Sequence, residues 1–113
     1  MSNDWHWSIA AAAAEPPSPG RKSSLLFSHG SMTMRFYAPK GVDDQVPHDQ
    51  DEVYIVATGS GTFFREGERV AFGPGDMLFV AAGEEHRFED FSDDFATWVI
   101  FYGPEGGEAE KGS

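Results

Sequence analysis

The chain has no cysteine among its 113 residues. Disulfides, thiolate nucleophiles and zinc–cysteine sites are therefore excluded, and the fold must hold by packing alone. Such a chain suits a reducing compartment, and a cytoplasmic location is the expectation. Basic residues are scarce as well. Eight Lys and Arg stand against nineteen Asp and Glu, for a formal net charge of −11 and a pI near 4.5. Nucleic-acid binding depends on neutralising phosphates with Lys and Arg, and anionic membrane surfaces make the same demand, so neither is an expected partner. No apolar run approaches the roughly 20 residues of a membrane-spanning helix. The short run Ile9–Ala14 follows Asp4, with no Lys or Arg before it, and does not read as a signal peptide. No Gly-x-Ser-x-Gly nucleophile elbow is present. Gly59-Ser60-Gly61 reads as a hairpin turn rather than a dinucleotide loop, because no helix pattern follows it.

What is present is a single domain by length, rich in phenylalanine and glycine and marked by β periodicity. Residues 1–24 form an N-terminal arm, in which Trp5-His6-Trp7 precedes an alanine run that Pro16, Pro17 and Pro19 bring to an end. Residues 25–103 carry the β pattern, and 104–113 make a Gly- and Glu-rich flexible tail. Strands are expected at 25–27, 32–37, 52–57, 62–64, 69–72, 77–81, 86–89 and 97–102. Turn signals separate them at Pro39-Lys40-Gly41, Gly59, Glu66-Gly67, Pro74-Gly75 and Gly83. Short strands at this spacing, with almost no helix, imply an all-β antiparallel sandwich or barrel. Phe79, Phe88, Phe95 and Phe101 are candidates to fill it.

Only four histidines occur, and two of them sit beside glycine-marked turns. His48, Gln50, Glu52, Tyr54 and Val56 share one face of an extended segment, since alternate side chains point to opposite sides. On a straight strand His48 and Glu52 would lie roughly 13 Å apart, so both reach one ion only if the chain bends at Asp49-to-Asp51. His86 opens a later strand that a barrel can bring opposite them. Imidazole and carboxylate together suit a divalent transition metal. Tyr54 is the best candidate for a pocket wall. Ser28 and His29 are adjacent, point to opposite faces and cannot act as nucleophile and base. His29 and His6 read as structural. In 32–37, Met32, Met34 and Phe36 share one face and Thr33, Arg35 and Tyr37 the other, and the pattern does not say which looks inward. An exposed Arg35 is the simpler reading; an inward one would hold a substrate carboxylate.

The segments Gly41–Gly59 and Gly75–Asp90 resemble the two motifs of the cupin superfamily. In the first, Glu52 is followed after six intervening residues by Gly59 and preceded by His48 at the place of the second family histidine. In the second, Gly75, Gly83 and His86 fall at the family spacing. Three positions depart: Val46 stands where the first histidine belongs, Ala81 replaces the proline and Asp90 the terminal asparagine. The resemblance implies an antiparallel double-stranded β-helix, or jelly-roll barrel. It implies a metal site of three histidines and a glutamate, of which this chain supplies His48, Glu52 and His86. A 2-His-1-carboxylate set with open positions is the ligand pattern of non-haem iron oxygenases. Iron, manganese, nickel or zinc is the expected ion, with Gln50 as a weak fourth ligand or the holder of a water. Gln50, Tyr54, Val46 and Phe88 are the expected substrate pocket, with Val46 an apolar wall beside the metal. The expected function is a metal-dependent dioxygenase, isomerase or lyase acting on a small organic molecule. The alternative is a non-enzymatic small-molecule-binding protein with a structural metal or none. A homodimer is expected, from unpaired edge strands and the tryptophan arm.

Overall fold

Alternation along 51–58 decides where the core sits. In a computed structural model, which describes residues 5–109, strand β3 (Asp51–Thr58) turns Glu52, Tyr54 and Val56 into the interior. Residues 1–4 of the arm and 110–113 of the tail lie outside the described residues. The other strands are β1 (Ser23–His29), β2 (Met32–Tyr37), β4 (Gly61–Arg65), β5 (Glu68–Phe72), β6 (Met77–Val80), β7 (His86–Glu89) and β8 (Ala96–Tyr102). All the pairings are antiparallel, and they make two sheets. One has the order β1-β2-β8-β3-β6 and the other β5-β4-β7.

The turns explain the strand ends. Between β4 and β5, Glu66 and Gly67 both have positive φ, 46° and 87°, which is the signature of a type I′ hairpin whose twist matches the flanking strands. Strand β1 carries a bulge where Leu26 has no partner in β2. Gly59, with φ 84°, closes against the start of β8: a Cβ there would lie 2.5 Å from the Phe95 Cα. Only glycine permits both that backbone and that approach.

The core lies between the sheets. Tyr37, Tyr54, Val56, Val80, Val99 and Phe101 come from one sheet; Phe63, Phe72 and Phe88 come from the other, and Phe95 enters from the loop before β8. The rings meet edge-on or tilted, with Tyr54–Phe88 centroids 4.9 Å apart and Phe88–Phe95 4.6 Å apart, the arrangement that ring quadrupoles favour. Phe79 does not join them. It is 40% exposed, because β6 pairs Phe79 with Val53 on the outward face and gives Val80 the inward place opposite Glu52.

A smaller cluster covers the outer face of the large sheet. Helix α1 (Ile9–Ala14) is capped by Ser8, whose hydroxyl accepts from the Ala11 N–H at 3.0 Å. It ends at Glu15, held extended before Pro16. Ala12 packs on Leu26, Phe36 and Ala96, with Trp7 and Trp98 against them. The second half of β2, Arg35 to Tyr37, is therefore covered on both faces, and Arg35, expected at the surface, is buried.

Candidate metal centre

Each of three side chains reaches the interior from a different backbone setting. Glu52 is the second residue of β3, a strand with partners on both sides. His86 opens β7 on the opposite sheet. His48 lies before β3, where the chain bends through Asp49 and Gln50, and its carbonyl accepts from the Gly83 N–H at 2.8 Å. That bend resolves the separation expected for a straight strand. His48 Nε2 is 3.8 Å and His86 Nε2 3.0 Å from Glu52 Oε1, and one donor atom from each residue lies within 4.8 Å of the others.

The chemistry of these atoms fits a cation. His86 and Glu52 are 2% and 1% exposed, yet His86 Nε2 and both Glu52 carboxylate oxygens have no hydrogen-bond partner. The 3.0 Å approach of His86 Nε2 to Glu52 Oε1 is an ion-pair contact. Buried polar atoms left unpaired are costly, and three of them converging on one point call for a shared partner. His86 Nδ1 is 2.9 Å from the Glu84 carbonyl. An N–H there fixes the tautomer that leaves the Nε2 lone pair facing the other ligands.

Burial lowers the pKa of His48, against the pull of Glu52, and keeps it neutral, as a ligand must be. For His86 burial acts the same way, but the nearby Glu52 carboxylate, the Glu84 carbonyl and the charge of Asp43 outweigh it and raise the pKa. Tyr54 is held far above its ordinary value, first by burial and then by the charge of Glu52, so it stays a phenol and a donor.

Two residues that the sequence pattern did not single out complete the site. Gln45 Oε1 lies 3.1 Å from His48 Nε2 and accepts from the Tyr54 hydroxyl at 3.2 Å. The Gln45 amide is aimed by Asp43, whose Oδ2 accepts from Gln45 Nε2 at 2.6 Å. Asp43 is itself buried and also accepts from the Tyr37 hydroxyl at 2.5 Å and the Phe88 N–H at 2.8 Å.

The expected pocket residues separate. Tyr54 and Val46 line a cavity of about 250 Å³ with His48, Glu52, Gln45 and Phe101. Val46 is 68% exposed, so it forms a rim rather than a wall, and Gln45 takes the place beside His48. Gln50 turns away: its amide donates to the Ser31 and Gly103 carbonyls at 3.1 and 2.9 Å. Phe88 sits in the core, 1% exposed, and is not on the cavity.

The sequence model of the cupin domain matches residues 34–102. An uncharacterised protein of Streptomyces coelicolor is 38% identical over 63 residues, which are 56% of this chain and 60% of that protein. A Rhizobium leguminosarum protein of unknown function has a solved structure that superposes with a TM-score of 0.68 at 26% identity, over 88% of this chain and 96% of that one. A cupin 2 conserved barrel domain protein of Salinispora arenicola gives 0.66 at 17% identity, over 87% and 88%; at that identity the likeness is one of fold.

Proposed function

The chain belongs to the cupin domain family, and from that premise we propose that it is a small metalloprotein binding one divalent transition metal through His48, Glu52 and His86. The two sheets are read as the walls of a jelly-roll barrel built by residues 25–103, with the arm and tail outside it. The observation that carries the metal reading is the set of three buried, unpaired donor atoms, Glu52 Oε1 and Oε2 and His86 Nε2. A divalent ion bound there would supply Lewis acidity to a small organic molecule in the adjoining cavity, whose volume of about 250 Å³ suits a small substrate.

The chain's own residues divide the remaining work. The Glu84 carbonyl holds the His86 ring in one tautomer. Asp43 orients Gln45, whose amide oxygen lies 3.1 Å from His48 Nε2 and positions that ring. Tyr54 donates its phenol proton to the Gln45 amide oxygen. Phe101 packs edge-on against the His48 imidazole, with ring centroids 5.1 Å apart, and helps fix its orientation. We assign the protein to metal-dependent enzymes of the oxygenase, isomerase or lyase type rather than to passive binding proteins, because three protein donors leave about three positions of an octahedral ion open.

The test is elemental analysis of protein expressed in medium supplemented with iron, manganese, nickel and zinc. About one ion per chain in the wild type, and none in His86→Ala, is the expected result. Stoichiometry near zero in the wild type overturns the reading.

A further inference from the structure

We propose that Arg35 and Arg21 form an anion subsite beside the metal centre, and that the small molecule taken there carries a carboxylate on an apolar body. The metal end of that ligand rests on the reading above; the anionic end rests on the arginines alone.

Arg35 is 5% exposed, yet among the described residues no carboxylate pairs with it. Its partners are neutral: Nε donates to Ser23 Oγ at 2.6 Å, and Nη2 to Ser18 Oγ at 2.7 Å and to the Ser23 carbonyl at 3.0 Å. Nη1 makes no hydrogen bond among the described residues. Acids are plentiful elsewhere, and other cations take them. Arg65 is paired with Glu84, Arg69 with Glu89, Arg87 with Glu85 and Glu89, and Lys22 with Asp44. A buried charge without a countercharge is expensive, more so when the rest of the chain is strongly acidic.

Arg21 adds a second cation. It is exposed, and its side chain has neither a hydrogen bond nor an ion pair among the described residues. It lies close enough to Arg35 and His48 for its charge to be felt at both. Both arginines border a hollow of about 490 Å³ with Thr33, Val46, His48 and Phe101. That hollow meets the metal-side cavity along Arg21, Val46, His48 and Phe101. Asp49 is the carboxylate on it and pairs with neither arginine.

Strand register sets the span. Arg35 is opposite Val99, and Val99 is opposite Tyr54; Thr33, Phe101 and Glu52 form the neighbouring row. Residues directly opposite share a face, so Arg35 looks into the same interior as Glu52 and Tyr54. Two strand spacings separate Arg35 from Tyr54, roughly 10 Å. Val99 and Phe101 lie between them as an apolar floor. A bare inorganic anion would meet the arginines and leave that floor uncovered. A carboxylate on an aryl or alkyl body meets both, and carboxylate geometry suits guanidinium donors.

The test is calorimetric titration of the full chain, chelator-stripped and metal-loaded, with 3-phenylpropanoate, 3-phenylpropanamide and inorganic phosphate. The propanoate should bind stripped wild type about tenfold or more tighter than the amide, the range of a charge-assisted hydrogen bond, and tighter than phosphate. Arg21→Gln and Arg35→Gln should each remove most of that preference and leave the amide unchanged. Arg21 holds nothing in place, so Arg21→Gln reads the charge even if Arg35→Gln loosens the arm. Equal affinity for propanoate and amide, or no effect of Arg21→Gln, overturns the proposal. Tighter phosphate binding overturns the apolar body. If metal supplementation changes nothing while the arginine variants still lose the propanoate, the metal reading fails and the anion subsite stands.

Discussion

The backbone carbonyl of His48 accepts a hydrogen bond from the Gly83 N–H at 2.8 Å, so the two segments that carry the imidazoles are joined through main chain. The joint does not depend on either ring.

His86→Ala should therefore lose the metal and keep the fold. Changing outer-shell partners of metal ligands typically costs about 10–100-fold in affinity, and loss of a ligand should exceed the upper end. Metal competition with a fluorescent chelator measures the affinity, and far-UV circular dichroism the fold. Added zinc or manganese should raise the melting temperature of the wild type alone. Unchanged metal affinity in the variant would remove His86 from the ligand set.

Asp43→Ala should be among the most destabilising polar substitutions. It strands the Phe88 N–H, the Tyr37 hydroxyl and the Gln45 amide, and each buried donor left unpaired costs about 1–3 kcal/mol. Urea denaturation should show a loss of more than about 2 kcal/mol, with Asp43→Asn milder. A loss under half that size would mean water replaces the carboxylate.

Phe88→Ala and Phe79→Ala should differ sharply. Phe88 touches four other rings, those of Tyr54, Phe63, Phe72 and Phe95, and its truncation should cost about 3–5 kcal/mol. Phe79 faces solvent and should stay within about 1 kcal/mol. Paired denaturation curves check this, and similar losses would place Phe79 in the core after all.

Gly59→Ala should destabilise by more than about 1 kcal/mol, since it combines a positive φ with a clash against backbone. Gly67→Asn, at an open hairpin position, should cost little because asparagine tolerates that conformation. Thermal melts of the two variants decide it, and equal melting temperatures would mean the Phe95 segment moves aside.

The strands were legible because alternation and glycine-marked turns coincide: 32–37 and 86–89 have the expected bounds, and no end of the other strands moves by more than two residues. The convergence of His48, Glu52 and His86 was legible too, since the polar run Asp49-to-Asp51 announces the bend. The unreadable parts share a cause. Met77-Leu78-Phe79-Val80 is uniformly apolar, so nothing local says that Val80 rather than Phe79 turns inward. Asp43 and Gln45 lie in an aperiodic polar loop, and only the pairing of distant strands buries them. Arg35 looked like surface because the segment that covers it, Ser18 to Ser23, precedes it by more than ten residues and carries no pattern pointing there.

Asp43 touches β2 through Tyr37, β7 through Phe88 and the candidate site through Gln45. It belongs to both sheets and to the binding apparatus at once. Whatever tugs on the Gln45 amide therefore tugs on the seam between the sheets. Site and scaffold should melt as one cooperative unit, and slow amide exchange at Phe88 should report on occupancy of a cavity that Phe88 never touches.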